Sequence, residues 1–516
     1  MWWLALHLPQ LSLEAFSATL APAQRAGPVA LLDAHRIAAV NGAAAERGIR
    51  PGFKRATALA LAGELLIGQA DAARDGQALQ AVAHTALAFT PMVVPEGGQA
   101  VLLEAQGSLR YFGGPQQLCR RLRDALAPLG HRLRLAGAPT AAGAALLAQW
   151  GAAPLDGDPA WGPHSTDLGQ LRRLLDGAPV ALLGPAGHEH AAALQGMGLH
   201  TLAELRALPR AGLARRFGAT LLDTLDRARG DCPDPRQPIV PAPAFDSRLE
   251  LHARADSTVQ VLDGAAVLLA RLVAWAQAQQ ARVGGFTLRM EHERSARPDH
   301  AGPPHTELTV ELAEPSADPA HLQLLLRERL ARCELAAPTL DLRLHCHHLV
   351  KRAAPNGELF PSRQGEQEGL TRLLERLRAR LGDARVQSLQ TQADHRPERA
   401  HRLQPVAQLP VSAPAPSLTP PAPALPPAHP ALPLHRPAWL LTAPEPLAVR
   451  GETPLLDGRP LQLLGGPERI EAGWWDAGGL AMRDYFVAQA ADGALVWVFC
   501  TRLTTPSGWY LQGRFA

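Results

Sequence analysis

Cysteine is scarce in this chain: five in 516 residues, at positions 119, 232, 333, 346 and 500. They are scattered, with no Cys-x-x-Cys pair. This sets aside a disulfide framework and fits reduced thiols in a cytosolic protein. An excess of charge is also missing. The 51 Lys and Arg against 48 Asp and Glu leave a net +3, so any contact with nucleic acid must be local or weak. Long hydrophobic runs are absent too. The opening MWWLALHLPQ has no basic leader or small-residue cleavage site, and His7, Pro9 and Gln10 end it early, which argues against a signal segment. No window free of charges approaches a membrane-spanning length, so the expectation is a cytoplasmic protein with no membrane partner.

What is present is core-forming material: 47% hydrophobic against 19% charged residues, enough for several domains. Trp2 to Leu8 does not alternate and reads as a central strand buried on both faces. The stretch QAVLLEAQGSLRYFGG, Gln99 to Gly114, reads as a buried strand over Ala100–Ala105, a turn at Gly107-Ser108 and an aromatic-Gly close. A helix follows, with Leu118, Leu122, Ala125 and Leu126 inward and Arg120, Arg121 and Arg123 outward. Between these strands, GPVALLDA (27–34) is a strand and Asp71–Ala88 a helix. Residues 178–230 hold two Gly-containing turns, Gly184-Pro185-Ala186-Gly187 and Leu208-Pro209-Arg210-Ala211-Gly212, between short helical segments.

From Phe245 to Val350 the order is strand, helix, strand, strand, helix, strand, with helices at Val259–Gln277 and Pro319–Arg332. In the first of these strands, alternation puts Arg248, Glu250, His252 and Arg254 on one face and Leu249 and Leu251 on the other. His345, Cys346, His347 and His348 suggest zinc at first sight. Alternation splits the set between two faces and no second ligand pair stands nearby, so no metal is expected. Leu370, Leu373, Leu374, Leu377 and Leu381 form an amphipathic helix ended by Gly382, which could bind a partner or cap the preceding domain. Twelve prolines between Pro405 and Pro437 favour extended polyproline II, which at about 3.1 Å per residue could reach on the order of 100 Å. The closing segment holds Trp439, Trp474, Trp475, Trp497 and Trp509 and a hairpin turn at Asp492-Gly493, the signature of a small β-rich module.

Several stretches resemble the Y-family translesion DNA polymerases. VNGAAAERGIRPGF is similar to the family's fingers motif through Asn41, Gly48, Ile49, Arg50 and Gly52. VLLEAQGSLRYFGG is similar to its palm motif from Leu103 through Gly113, and the doubled Gly turns resemble the helix-hairpin-helix units of its thumb. The resemblance implies an α+β multidomain fold with a Y-family polymerase-like palm (1–16 and 75–177), fingers (17–74), thumb (178–238) and little finger (239–350). A clamp-binding peptide with the amphipathic helix (351–396), a Pro-rich linker (397–437) and a small β-rich C-terminal module (438–516) would follow.

In that register the family's metal-binding carboxylates fall on His7, Gln99 and Ala100, and its triphosphate ligands on Gly42, Ala45 and Ala153. No two adjacent acids occur between Pro91 and Gly114 to rescue the site. The family's DNA contacts would fall on Gly184, Gly187, Arg210, Gly212, Arg215 and Arg216 in the thumb, and on Arg248, Arg254 and Arg289 in the little finger. Asn356, Leu359 and Phe360, in NGELFP, resemble the peptide with which bacterial polymerases dock on the sliding clamp. The terminus WW…RDYF…WVF…WYL is lacking in ordinary Y-family polymerases. It resembles that of the family's non-catalytic members in bacterial mutagenesis cassettes. The likeness implies no cofactor and, as partners, weakly and non-specifically bound DNA, the sliding clamp, a RecA-like accessory protein and an error-prone C-family polymerase. An active translesion polymerase is the alternative.

Overall fold

Five apolar-rich residues, WLALH, form β1 (Trp3–His7), buried along its whole length. The chain is described by a computed structural model. It covers all residues except 152–163, 294–302, 352–362, 407–435, 438, 476–478, 503–507 and 516. Two units emerge, Met1–Arg380 and Leu381–Ala516.

After β1 come α1 (Leu11–Ser17) and α2 (Pro22–Ala26), then β2 (Val29–Asp33) and β3 (Arg36–Val40). α3 (Gly42–Glu46), α4 (Arg55–Leu61), β4 (Leu66–Gln69) and α5 (Ala72–Ala86) follow. Next are β5 (Val93–Glu96), β6 (Ala100–Glu104), α6 (Leu109–Phe112), α7 (Pro115–Leu126), β7 (Arg134–Ala138) and α8 (Ala141–Trp150). The first sheet has the order β5-β6-β1-β7, so β1 is central as its composition predicts. Trp2, Leu4 and Leu6 pack on one face with Val82 of α5 and Leu118 and Leu122 of α7. Trp3 and Ala5 pack on the other with Ala144 and Leu147 of α8. Leu4 and Leu6 are fully buried, each contributing roughly 1.5–3 kcal/mol. The helix α7 differs from expectation in one place: Cys119 is buried and Ala125 is exposed.

β2, β3 and β4 form a separate three-stranded sheet. Its sequence signature has a local cause. Asn41 caps α3 by accepting from the Ala44 N–H at 2.9 Å, accepts from the Val29 N–H at 3.0 Å and donates to the Gly27 carbonyl at 2.7 Å. Gly48 and Gly52 turn the chain at φ 82° and 90°, a region that glycine enters without a Cβ penalty. Between them Ile49 is fully buried.

Five helices follow: α9 (Leu168–Asp176), α10 (Gly184–Gly196), α11 (Leu202–Ala207), α12 (Arg210–Phe217) and α13 (Ala219–Arg229). The expected turn at Gly184–Gly187 is instead the first turn of α10. Gly187 is buried in it, with Val180 O only 2.5 Å from where a Cβ would stand. The second turn is shorter than expected. It falls on Leu208-Pro209, and Arg210 already begins α12.

The predicted strand–helix–strand–strand–helix–strand order is present as β8 (Asp246–Ala255), α14 (Thr258–Ala278), β9 (Ala281–His292), β10 (His305–Ser316), α15 (Pro319–Leu330) and β11 (Thr339–Lys351). The sheet order is β10-β9-β11-β8, antiparallel throughout. α14 is long and apolar enough to span a membrane by length and composition, although Asp263 and Arg271 interrupt it. Two thirds of it is buried, with Val261, Leu268, Leu269 and Leu272 in the core. α16 (Arg363–Leu381) closes this unit. Of the two roles open to its leucine stripe, neither is filled completely: Leu370 is 51% and Leu373 52% exposed, while Glu375 and Ala379 are buried.

In the second unit, β12 (Gln387–Thr391) pairs with β13 (His401–Pro405), so ordered strand occupies the start of the expected linker. β14 (Trp439–Arg450), β15 (Thr453–Leu456), β16 (Arg459–Pro460), β17 (Gln462–Ala472), β18 (Ala481–Gln489), β19 (Leu495–Thr501) and β20 (Trp509–Arg514) make a sheet of order β16-β15-β14-β20-β19-β18-β17. The hairpin predicted at Asp492-Gly493 joins β18 to β19. Segments on both sides of the proline-rich stretch meet here. Arg396 Nη1 donates to Gly479 O at 2.8 Å, and Arg483 Nη2 lies 3.0 Å from Glu398 Oε1.

Candidate functional site

The register of the first sheet brings two of the three degenerate metal positions into direct contact. His7 on β1 faces Ala100 on β6, and Gln99 accepts the Leu8 N–H through its carbonyl at 2.8 Å. On its other side His7 faces Arg134 of β7, and Ala100 faces Glu96 of β5. The row across the sheet is therefore Glu96–Ala100–His7–Arg134. Its one acid, Glu96, is held by Arg236 at 2.5 Å. His7 is buried, and desolvation together with the nearby Arg134 charge pushes its pKa below the ordinary imidazole value. A neutral imidazole beside a guanidinium is a poor seat for Mg²⁺, which requires clustered oxygen ligands. Glu104 lies at the far end of β6 opposite Trp3, away from this row. Among the described residues no group of His, Cys, Asp or Glu could hold a metal ion. Arg134 was missed in the sequence, although its place follows once β7 is paired to β1.

Gly42 opens α3 and is exposed; Ala45 is half-buried one turn on. Neither carries a group that could grip a phosphate. Ala153, Asn356, Leu359 and Phe360 lie outside the described residues.

The cations expected to face DNA differ in their freedom. Arg210 is held by Asp226 through two hydrogen bonds of 3.0 and 2.5 Å. Arg215 and Arg216 are exposed at the end of α12, without an acidic partner among the described residues, and Arg216 stacks 5.5 Å from the Phe217 ring centroid. Gly212 is exposed inside α12, and Gly184 opens α10 with φ 62°.

On the sheet, alternation holds as predicted: Arg248, Glu250, His252 and Arg254 are exposed while Leu249 is buried. The register adds a feature. Arg248, Arg343 and Arg289 stand side by side across β8, β11 and β9. Each also has an acidic neighbour. Arg248 Nε bonds Asp341 at 2.5 Å, Arg343 makes two bonds to Asp246, and Arg289 Nε lies 2.6 Å from Glu291. Arg254 lies 3.3 Å from Glu293. Acids and bases interleave on this face because side chains from neighbouring strands stand next to each other.

Residues 12–148 match the impB/mucB/samB family, and the chain has the fold class of a Y-family DNA polymerase-like protein with a β-rich module beyond it. Within that class it is similar to Protein ImuB of Caulobacter vibrioides, with 29% identity over 480 residues that cover 91% of this chain and the whole of that protein. The same figures hold for strains NA1000/CB15N and ATCC 19089. Among solved structures, a Dbh ternary complex (TM-score 0.38, 14% identity) and DinB from Sulfolobus solfataricus (TM-score 0.37, 14% identity) each cover 68% of this chain and are themselves covered to 99%.

Proposed function

We propose that this chain is a non-catalytic member of the class. It would act as a scaffold in translesion synthesis and mutagenesis after DNA damage, joining DNA, the sliding clamp, a RecA-like accessory protein (ImuA in this reading) and an error-prone C-family polymerase. The observation that carries the reading is the row Glu96–Ala100–His7–Arg134. Nucleotidyl transfer needs two cations to neutralise charge at the attacking and leaving oxygens. Here the corresponding strand ends supply an imidazole, a methyl group and an arginine. The positions expected to grip the triphosphate, Gly42 and Ala45, supply nothing in return. A chain with this fold and neither ligand set is best suited to be a platform. Its place would be the cytoplasm, at the nucleoid after damage, with palm, fingers, thumb and little finger at the boundaries read from the sequence and the NGELFP peptide as its clamp contact.

The test is primer extension with Mg²⁺ or Mn²⁺ on the wild type and on the combined variant His7→Asp, Gln99→Asp, Ala100→Glu. Neither should extend a primer, because restoring the carboxylates leaves the triphosphate without ligands. Template-dependent synthesis by the wild type would establish the alternative, an active translesion polymerase.

A further inference from the structure

A cavity of about 360 Å³ lies in the first unit where α1, α2, α5, α14 and the Pro128–His131 turn meet. Much of its wall is small: Ala15, Ala18, Ala78, Ala81, Ala266 and Ala270. Its polar groups are Glu14, Ser17, Arg25, His131, Asp263 and Arg271. Arg271 is the unusual one, because it is 6% exposed and has no carboxylate within ion-pairing distance among the described residues. Its Nη1 donates to Gln77 Oε1 at 2.7 Å, Ser247 Oγ at 3.2 Å and the Arg248 carbonyl at 3.4 Å. Gln77 and Ser247 belong to a second, smaller cavity of about 130 Å³ that Arg271 also lines. Among the described residues the Nε and Nη2 edge has no such partners, and neither atom is among those sealed from solvent.

We propose that this cavity is an oxyanion-binding site, in which the Nε/Nη2 edge of Arg271 takes two oxygens of a carboxylate or phosphate group. A guanidinium edge matches such groups in a fork of two parallel hydrogen bonds. The edge that still reaches solvent is free to exchange its water for an anion, and a charge-assisted pair is stronger than the hydrogen bonds it replaces. The nearby carboxylates do not fill the role. Glu14 accepts the Arg132 N–H at 3.0 Å and stands 3.4 Å from His131 Nδ1. Asp75 accepts from the Ser12 hydroxyl. Asp263 precedes Arg271 by eight residues, about 12 Å along the α14 axis.

The neighbouring charges are already engaged with one another: His131 Nδ1 stands 3.4 Å from Glu14 Oε2, and Arg74 Nε stands 3.7 Å from Asp75 Oδ1. Burial, and secondarily the Arg74 charge, brings the Arg271 pKa down to about 10, as expected of a guanidinium still lacking its anion. The ligand would bridge α14 to α1 and α5, and so strengthen the seat of the β8–β11 domain on the first sheet's helices.

The experiment is differential scanning fluorimetry of the full chain titrated with sodium phosphate and, separately, sodium acetate, at ionic strength matched with sodium chloride. The wild type should show a saturable rise in melting temperature with at least one anion. Phosphate alone would indicate a phosphoryl ligand, acetate a carboxylate. The apparent affinity should fall at least about tenfold in Arg271→Gln, which loses a charged hydrogen-bond pair. Ala270→Leu, which fills the cavity and keeps the guanidinium, should lose the response too and decides the matter if Arg271→Gln does not fold. No saturable rise with either anion, or a response kept in either folded variant, overturns the site.

Discussion

A buried acid, Glu375, ties α16 to its domain, and removing it should loosen the helix. Glu375 Oε1 accepts the Ala313 N–H at 2.6 Å and the Glu314 N–H at 3.1 Å, while Oε2 lies 2.8 Å from His321 Nε2. The Glu375 and His321 side chains are 5% and 6% exposed. Its further polar ties include Arg372–Asp318 and Arg376–Glu328, each at 3.5 Å with the arginine half exposed. Exposed pairs of this kind contribute about 0–1 kcal/mol. Leu370 and Leu373 are half exposed, and among the described side chains Ala379 is the fully buried apolar one. Glu375→Ala leaves an imidazole and two backbone donors without their acceptor. Breaking a buried pair from one side costs about 3–5 kcal/mol. Glu375→Gln keeps an acceptor and should cost less, about 1–3 kcal/mol. Urea denaturation followed by tryptophan fluorescence would measure both. Hydrogen exchange should show α16 opening ahead of α14 and β9 in the alanine variant. Two variants within about 0.5 kcal/mol of the wild type, with α16 still protected, would refute this account of its docking.

Acid should destabilise the first unit before carboxylates titrate. His84 is 6% exposed, and burial lowers its pKa from 6.5 to about 4. The unfolded chain then binds the extra proton, so stability is full above about pH 6.5 and falls as pH drops toward 4. The loss is on the order of 3 kcal/mol, and His84→Gln should flatten that part of a pH series of urea midpoints. DNA binding, measured by fluorescence anisotropy, should be weak and fall with salt. Arg215→Ala with Arg216→Ala should reduce the slope of log K against log salt by about 0.7–0.9 for each phosphate that these side chains neutralise, whereas an unchanged slope would place DNA elsewhere. Replacing Leu359 and Phe360 by Ala should abolish most clamp binding in surface plasmon resonance, at about 1.5–3 kcal/mol per buried side chain. An unchanged signal would remove that peptide from the interface.

The strand content of the first unit was legible because its pattern is unambiguous. WLALH and AVLLE are apolar without alternation and became the paired strands at the sheet's centre, while SRLELHARA alternates and became a half-exposed strand. The contact of His7 with Ala100 was readable from the family register alone. What stayed hidden were matters of partnership. Arg210, Arg248, Arg254 and Arg289 look identical in sequence to free cations, and only three-dimensional pairing with Asp226, Asp341, Glu293 and Glu291 shows them neutralised. Gly184-Pro185 read as a turn because both residues punctuate chains, yet proline suits the first turn of a helix equally well. The leucines of α16 left their role open for a related reason. Helical spacing locates a stripe but does not say whether the domain offers an apolar groove or, as at His321, a buried polar one.

The contacts of Arg396 with Gly479 and of Arg483 with Glu398 change the meaning of the proline-rich stretch. Its flanks belong to one unit, Leu381–Ala516. A truncation made just before the stretch would divide a folding unit instead of trimming a tail. It would strand Leu381–Val406 without the sheet that receives Arg396 and Glu398.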